Sequence, residues 1–245
     1  MKDFQIFRFE EIADPQHPYA IGDGDHGAIS TKCYQDFGIP YIRVGDMVDG
    51  KISLEKMVFI PEEVHSKNIH QELVPGDIII AKTGATIGKV AIIPKTIPRA
   101  NTTASVGKIS IDHSKVDVRY FFHYLQTHAF TSQMWKVSHK SAQPGFNVKH
   151  LKNFTIPLPP LNEQKRIAAI LDKADEIKKE SLNSQNLRKH MTQSLFSDMF
   201  GDPLLNPMGW EKVAISEIVE KMHQGINTAA DKVVYANSGT PIIQS

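Results

Sequence analysis

The stretch Ile156-Pro157-Leu158-Pro159-Pro160-Leu161-Asn162-Glu163-Gln164-Lys165-Arg166-Ile167-Ala168-Ala169-Ile170-Leu171-Asp172 decides how this chain is organised. Pro157, Pro159 and Pro160 stiffen the approach, and Asn162 is suited to cap the free backbone N–H groups of a helix opening with Glu163 and Gln164. Neither proline nor glycine follows until Gly201 and Pro203, which supply a stop. The spacing predicts a helix of about 38 residues, on the order of 57 Å long at the α-helical rise. That exceeds the usual element of a compact domain, so the stretch joins a globular unit to a spacer.

The spacer carries two apolar blocks. Leu161, Ile167, Ile170, Leu171, Ala174 and Ile177 form the first, and Leu187, Met191, Leu195, Phe196 and Met199 the second, with Leu182 between them. An isolated helix is not stable with such a stripe in water, so a partner helix is expected. With one helix per chain, a homodimer about a two-fold axis is the economical solution; the alternative is a helix folded back on its own domain.

Upstream, short apolar runs separated by turn residues read as strands. Ile39 to Val44, Asp77 to Ala81, Ile87 to Ile93 and Ser105 to Ile111 are the clearest, the second and third forming a hairpin across Thr83-Gly84. Val64 to Leu73 is open between helix and loop. Val118 to Val137 has apolar residues at helical spacing and reads as one amphipathic helix. Strands followed by helices indicate an α+β domain. After the helix stop, Ile215-Ser216-Glu217-Ile218 repeats the pattern of Phe9-Glu10-Glu11-Ile12, and Gly239-Thr240-Pro241-Ile242-Ile243-Gln244 that of Gly38-Ile39-Pro40-Tyr41-Ile42-Arg43. The expected organisation is a domain at 1–156, a long helix at 157–201 and the start of a second, similar domain at 202–245.

The run from Ile156 to Asp175 resembles the conserved region of the DNA-specificity subunits of Type I restriction-modification systems, where a target recognition domain runs into a long helix. The resemblance extends to Pro75–Ile93 ("PGDIIIAKTGATIGKVAII"), Gly38–Met47 ("GIPYIRVGDM") and Phe146–Pro159 ("FNVKHLKNFTIPLP"). It implies a mixed α+β recognition domain, a coiled-coil helix and a chain equivalent to half of a two-domain subunit. It further implies double-stranded DNA as ligand, a bipartite and, for a homodimer, palindromic target, and no catalysis in this chain. Methyltransferase subunits using S-adenosylmethionine would dock along the helix, with Glu163, Gln164 and Arg166 as docking candidates, and restriction subunits using ATP and Mg2+ would join. Those cofactors belong to the partners. The alternative is a truncated regulatory protein that pairs with full-length specificity subunits and alters or blocks their assembly.

Composition bounds the rest. The 245 residues, 41% hydrophobic, can bury a sizeable core. The single cysteine, Cys33, excludes an intrachain disulfide framework and a thiolate zinc site. Neither a signal peptide nor an eighteen-residue apolar run is present, so a soluble cytoplasmic protein is expected, with no membrane partner. The net charge is only +1, but it is segregated: residues 1–77 hold 7 Lys/Arg against 14 Asp/Glu, residues 78–152 hold 11 against 2, and residues 153–245 hold 10 against 11. The middle segment has the electrostatic footprint of a phosphate-tracking surface, unless folding scatters its cations over several faces.

Gly84-Ala85-Thr86-Ile87-Gly88-Lys89 is not a P-loop, because it has three residues between its glycines and Val90 after the lysine. It reads as a tight turn whose Lys82, Thr83 and Lys89 can meet a phosphate or base edge. The aspartates of Gly22–Gly27 lack the later ligands of a calcium loop, and the histidines lack zinc spacing. Asp77 and Lys82 form only a fragment of a nuclease signature. The polar segment His139–Asn147 offers Ser141, Gln143 and Asn147 for base edges, with Lys140 and Lys149 for phosphate or guanine; Arg43, Arg99 and Asn101 are weaker candidates.

Overall fold

A computed structural model describes residues 4–138 and 144–220. The chain opens with β1 (Gln5–Arg8) and a one-turn helix α1 (Phe9–Ile12), followed by β2 (Ile21–Asp23). Then come β3 (Ile39–Ile42), β4 (Met47–Val48), β5 (Lys51–Ile52), β6 (Val58–Ile60) and α2 (Glu62–Lys67). The strands β7 (Ile78–Ala81), β8 (Val90–Ile92), β9 (Asn101–Thr102) and β10 (Val106–Ile109) complete the central part. Helices α3 (Val118–Tyr124), α4 (His128–Ser138) and α5 (Val148–Asn153) precede β11 (Thr155–Leu158), the long helix α6 (Leu161–Phe200) and a one-turn α7 (Ile215–Ile218). The architecture is α+β.

The main antiparallel sheet has the order β2-β10-β7-β8. The hairpin across Thr83-Gly84 is present, with Ile80 opposite Val90 and Ile78 opposite Ile92. All four residues of β7 are buried because both faces of the sheet are covered. Ile78, Ile80, Val90 and Ile109 meet the helices on one face, whereas Ile79, Ala91, Ile93 and Val106 face a second core with Ile42, Met47 and Leu73. A smaller sheet, β6-β3-β9, pairs β3 parallel to β9. Phe9 anchors the first core in an aromatic cluster with Phe121, Phe130 and Phe154.

Two elements differ from the sequence reading. The 118–137 segment is two helices, because Thr127 closes the first turn region by donating its hydroxyl to Tyr124 O (2.8 Å) and accepts from Phe130 N at the start of α4 (3.4 Å). The long helix begins one residue before Asn162: Pro160 O receives the N–H groups of Glu163 and Gln164 (2.8 and 3.0 Å), while Asn162 Oδ1 reaches only Glu163 N. Its end is as read, with Gly201 at φ +76° donating its N–H to Ser197 O. The Val64–Leu73 ambiguity resolves into α2 and a short 3₁₀ turn, Ile69–Gln71.

The chain divides into two compact units, with the boundary between Ser181 and Leu182. In the first, β1 pairs with β11, so the amino-terminal segment is tied to the strand leading into α6. In the second, Phe196, Phe200 and Trp210 are in contact and Trp210 Nε1 donates to Phe200 O. Among the described residues, no helix is long and apolar enough to cross a membrane.

Candidate nucleic-acid interface

The glycine turn and the polar loop, read separately from sequence, lie side by side. Thr83 bridges Gly145 in antiparallel fashion, Gly84 N donates to Pro144 O (3.3 Å), and Phe146 N donates to Lys82 O (3.1 Å). Phe146 supplies the apolar reason for the contact, being buried against Phe154 with ring centroids 5.4 Å apart. The turn itself requires left-handed backbone at Gly84 and Gly88 (φ +78° and +85°). At Gly88 there is no spare room either, since a Cβ would lie 3.0 Å from Met134 Cε of α4. Strand ends, α4 and the α5 approach thus converge on one loop pair.

Thr83 and Lys89 sit half-buried on this pair, and Lys149 is exposed on α5. Asn147 is exposed and caps α5, its Oδ1 accepting from His150 N (3.0 Å). Lys140, Ser141 and Gln143 lie outside the described residues. The other candidates are engaged elsewhere. Lys82 is buried and ion-paired with Asp23, so its ammonium neutralises a carboxylate inside the protein. Asn101 is fully buried, hydrogen-bonded to His65 and donating to Asn68 O. Arg43 grips Asp46 with Nε and Nη2 and donates to Lys56 O, a pairing that raises its pKa further. Arg99 makes a two-pronged exposed pair with Glu62.

The positive middle segment is therefore partly spent internally. Lys108 is buried and donates to Glu72 O, and burial lowers its pKa. Asp77 is buried too, its pKa raised by burial, and accepts from Val74 N in the turn before β7. Lys115 and Arg119 pair with Asp112 and Asp172. Lys89, Lys95, Lys136, Lys149 and Lys152 have no ion pair among the described residues. Asp23 and Asp25 of the glycine loop are likewise in use, Asp23 on Lys82 and His26 and Asp25 capping Ile29 N (2.6 Å). Among the described residues no group of three or more His, Cys, Asp or Glu is arranged to hold a metal ion.

The base of the long helix holds what sequence reasoning did not find. Gln164 is 1% exposed. Its Oε1 accepts from Asp117 N (2.9 Å) and its Nε2 donates to Lys115 O and Pro159 O (2.9 Å each). One turn on, Ala168 is buried in the main core, with Ile167 beside it. One turn further, Asp172 accepts from Arg119 and from His123 Nε2 (2.7 Å), and the Arg119 bond holds its carboxyl below the usual range. Glu163 and Arg166 pair with each other on the outside (2.8–2.9 Å). Ile170, Leu171, Ala174, Ile177, Leu187, Met191 and Leu195 are exposed. The four-residue spacing of Gln164, Ala168 and Asp172 was a legible signal for one helix face; their partners, about fifty residues away, were not.

A family model, the Type I restriction modification DNA specificity domain, matches residues 1–187. The chain belongs to this family. It is 26% identical over 179 residues to the Type I restriction enzyme MjaVIII specificity subunit of Methanocaldococcus jannaschii, an alignment covering 72% of this chain and 40% of the relative. It is 30% identical over 168 residues to the EcoBI specificity subunit of Escherichia coli, covering 66% of this chain and 35% of the relative. This chain thus matches less than half the length of either protein. Among solved structures, the HsdS subunit from Thermoanaerobacter tengcongensis superposes with a TM-score of 0.54 at 18% identity, over 83% of this chain and 51% of that one. A chain from a structure of type I R-M complex assembly and conformational transition gives 0.60 at 20% identity, over 80% and 44%. Both share the fold.

Proposed function

We infer that this chain supplies DNA sequence recognition to a Type I restriction-modification assembly and is itself not catalytic. The observation that carries this reading is the match of residues 1–187 to a DNA specificity domain. Residues 1–156 form the target recognition domain, residues 157–201 the coiled-coil spacer, and residues 202–245 the start of a second recognition domain. The paired loops 83–89 and 144–149 meet double-stranded DNA, with Thr83, Lys89, Asn147 and Lys149 at the surface, and with Lys140, Ser141 and Gln143 in the connecting segment. Lysines without internal partners suit phosphates, whereas the buried Lys82 holds the loop pair from within through its carbonyl and Asp23.

The exposed apolar residues of the long helix support a homodimer, two copies reading the halves of a split target. Methyltransferase subunits bring S-adenosylmethionine, and restriction subunits bring ATP and Mg2+. The test is to assemble the chain with its cognate methyltransferase subunit, methylate random-sequence DNA and read out the modified sites. A single palindromic split motif is expected. Assembly without any directed methylation would overturn the recognition role in favour of the regulatory one.

A further inference from the structure

A helix joined to a domain only through its first peptide can swivel, and prolines at 157, 159 and 160 limit that motion without stopping it. Here β1 and Gln133 of α4 hold the lead-in strand, and α3 contacts both that strand and the helix itself. Tyr120 Oη donates to Pro157 O (2.8 Å) and Tyr124 Oη to Thr155 O (2.7 Å), fixing the lead-in strand. Gln164 then meets the amino-terminal end of α3 through Asp117 N and the preceding carbonyl of Lys115. Asp117 is already the cap of α3, accepting from Arg119 N and Tyr120 N, so its own N–H is held in place. Two turns along α6, Asp172 takes the Arg119 guanidinium and His123. The two attachments are about 12 Å apart on the helix axis. Ala168 between them is small enough for close approach. Two attachments separated along an axis fix tilt and azimuth together, which one attachment cannot do.

We propose that Gln164, Ala168 and Asp172 are positioning residues that lock the recognition domain's orientation on the long helix and thereby set the number of base pairs between the half-sites of the split target. This rests on the DNA-recognition reading above. Adding one base pair moves the second half-site by about 3.4 Å and turns it by about 34° around the duplex, so a small swivel at each junction is enough to accept the neighbouring spacing. The lock is polar because its work is angular. Gln164 fixes direction through buried hydrogen bonds to backbone groups, Asp172 through a part-exposed, two-nitrogen pair with the Arg119 side chain, and Ala168 lets the helix sit close between them.

The experiment compares the parent with the double variant Gln164→Leu/Asp172→Ala and with the milder Arg119→Lys, which keeps the charge but loses the two-nitrogen grip on Asp172. Lys165→Gln, exposed on the same turn, is the control. Each full chain, assembled with the methyltransferase subunit, is assayed on a library in which the parental half-sites are separated by every spacing from short to long. The variants should raise methylation on the two adjacent spacings about tenfold relative to the parental one, with the half-site sequence unchanged. A merely destabilised protein would lose methylation at all spacings in proportion. Independently of DNA, spin labels at Lys95→Cys and Lys178→Cys in a Cys33→Ala background report the domain-to-helix distance, and the variants should broaden a narrow distribution. An unbroadened distribution overturns the lock. A broadened distribution with the single parental spacing retained overturns its link to target spacing. If the parent itself directs no methylation, the function reading has failed, and the spin-label result still decides whether the lock exists.

Discussion

The two ends of the long helix invert the usual rule. At its base a glutamine is almost wholly buried and an aspartate is one-third exposed, while toward its end Leu187, Met191 and Leu195 are 49–70% exposed. Burying an amide without partners costs several kcal/mol, so the base tolerates Gln164 only because three backbone groups meet it. The exposed leucines and methionine are the opposite case, with apolar area that nothing in the described residues covers. One end of the helix is specified by the chain that carries it, and the other leaves its apolar side chains exposed. Length alone did not distinguish them.

The largest expected effect lies at the exposed end. Met191→Glu with Leu195→Glu should weaken self-association at least about 100-fold, since each apolar side chain contributes on the order of 1.5–3 kcal/mol when buried. Sedimentation velocity measures this, with the fold monitored by circular dichroism. A parent that sediments as a monomer at high concentration would break the comparison by removing the homodimer as the partner. At the buried end, Gln164→Leu keeps the volume but strands Asp117 N, Lys115 O and Pro159 O, costing about 1–3 kcal/mol in urea unfolding. Lys165→Gln on the same turn should change stability by less than about 0.5 kcal/mol. Ala168→Leu should overpack the main core, costing about 1–3 kcal/mol, whereas Ala174→Leu on the exposed side should be tolerated within about 0.5 kcal/mol.

How much of this was legible depends on the range over which each rule acts. The helix stop at Gly201 and the β7–β8 hairpin follow from neighbours in sequence and stand where the residues indicate, and the repeated pattern of 9–12 and 215–218 takes the same form twice, as the one-turn helices α1 and α7. The last pair is instructive. Glu11 reaches back to Arg8 N (2.6 Å) and Glu217 to Ala214 N (3.4 Å), so the repeat preserves the cap. Yet Phe9 and Ile12 are fully buried, and Ile215 and Ile218 are 65–69% exposed. Local sequence specifies the turn; burial of the first copy comes from distant neighbours such as Phe121 and Phe154, and among the described residues nothing covers the second. The second part of the repeat, Gly239–Gln244, lies outside the described residues. The same limit explains the site. Thr127 is a cap that apolar periodicity hid, and Lys82 looked free because its partner Asp23 is 59 residues away. A charge count along the chain cannot distinguish a lysine that faces phosphate from one that neutralises a buried carboxylate.

The smallest predicted effect tests whether the buried end depends on charge or only on shape. Asp172→Asn keeps an acceptor for Arg119 and His123 but removes the negative charge. Because Arg119 holds the Asp172 carboxyl below its unfolded value of about 3.9, the carboxylate's contribution is fully present above that value. It is lost as pH falls through the lower folded value. With the side chain 33% exposed, the parent should exceed the variant by only about 1 kcal/mol at neutral pH. The gap should stay level above about pH 5 and close as the pH drops below about 4. Thermal or urea unfolding across that range checks it. A gap that persists unchanged at low pH would mean that shape, not charge, makes the second attachment, and Asp172 would then differ from Gln164 only in name.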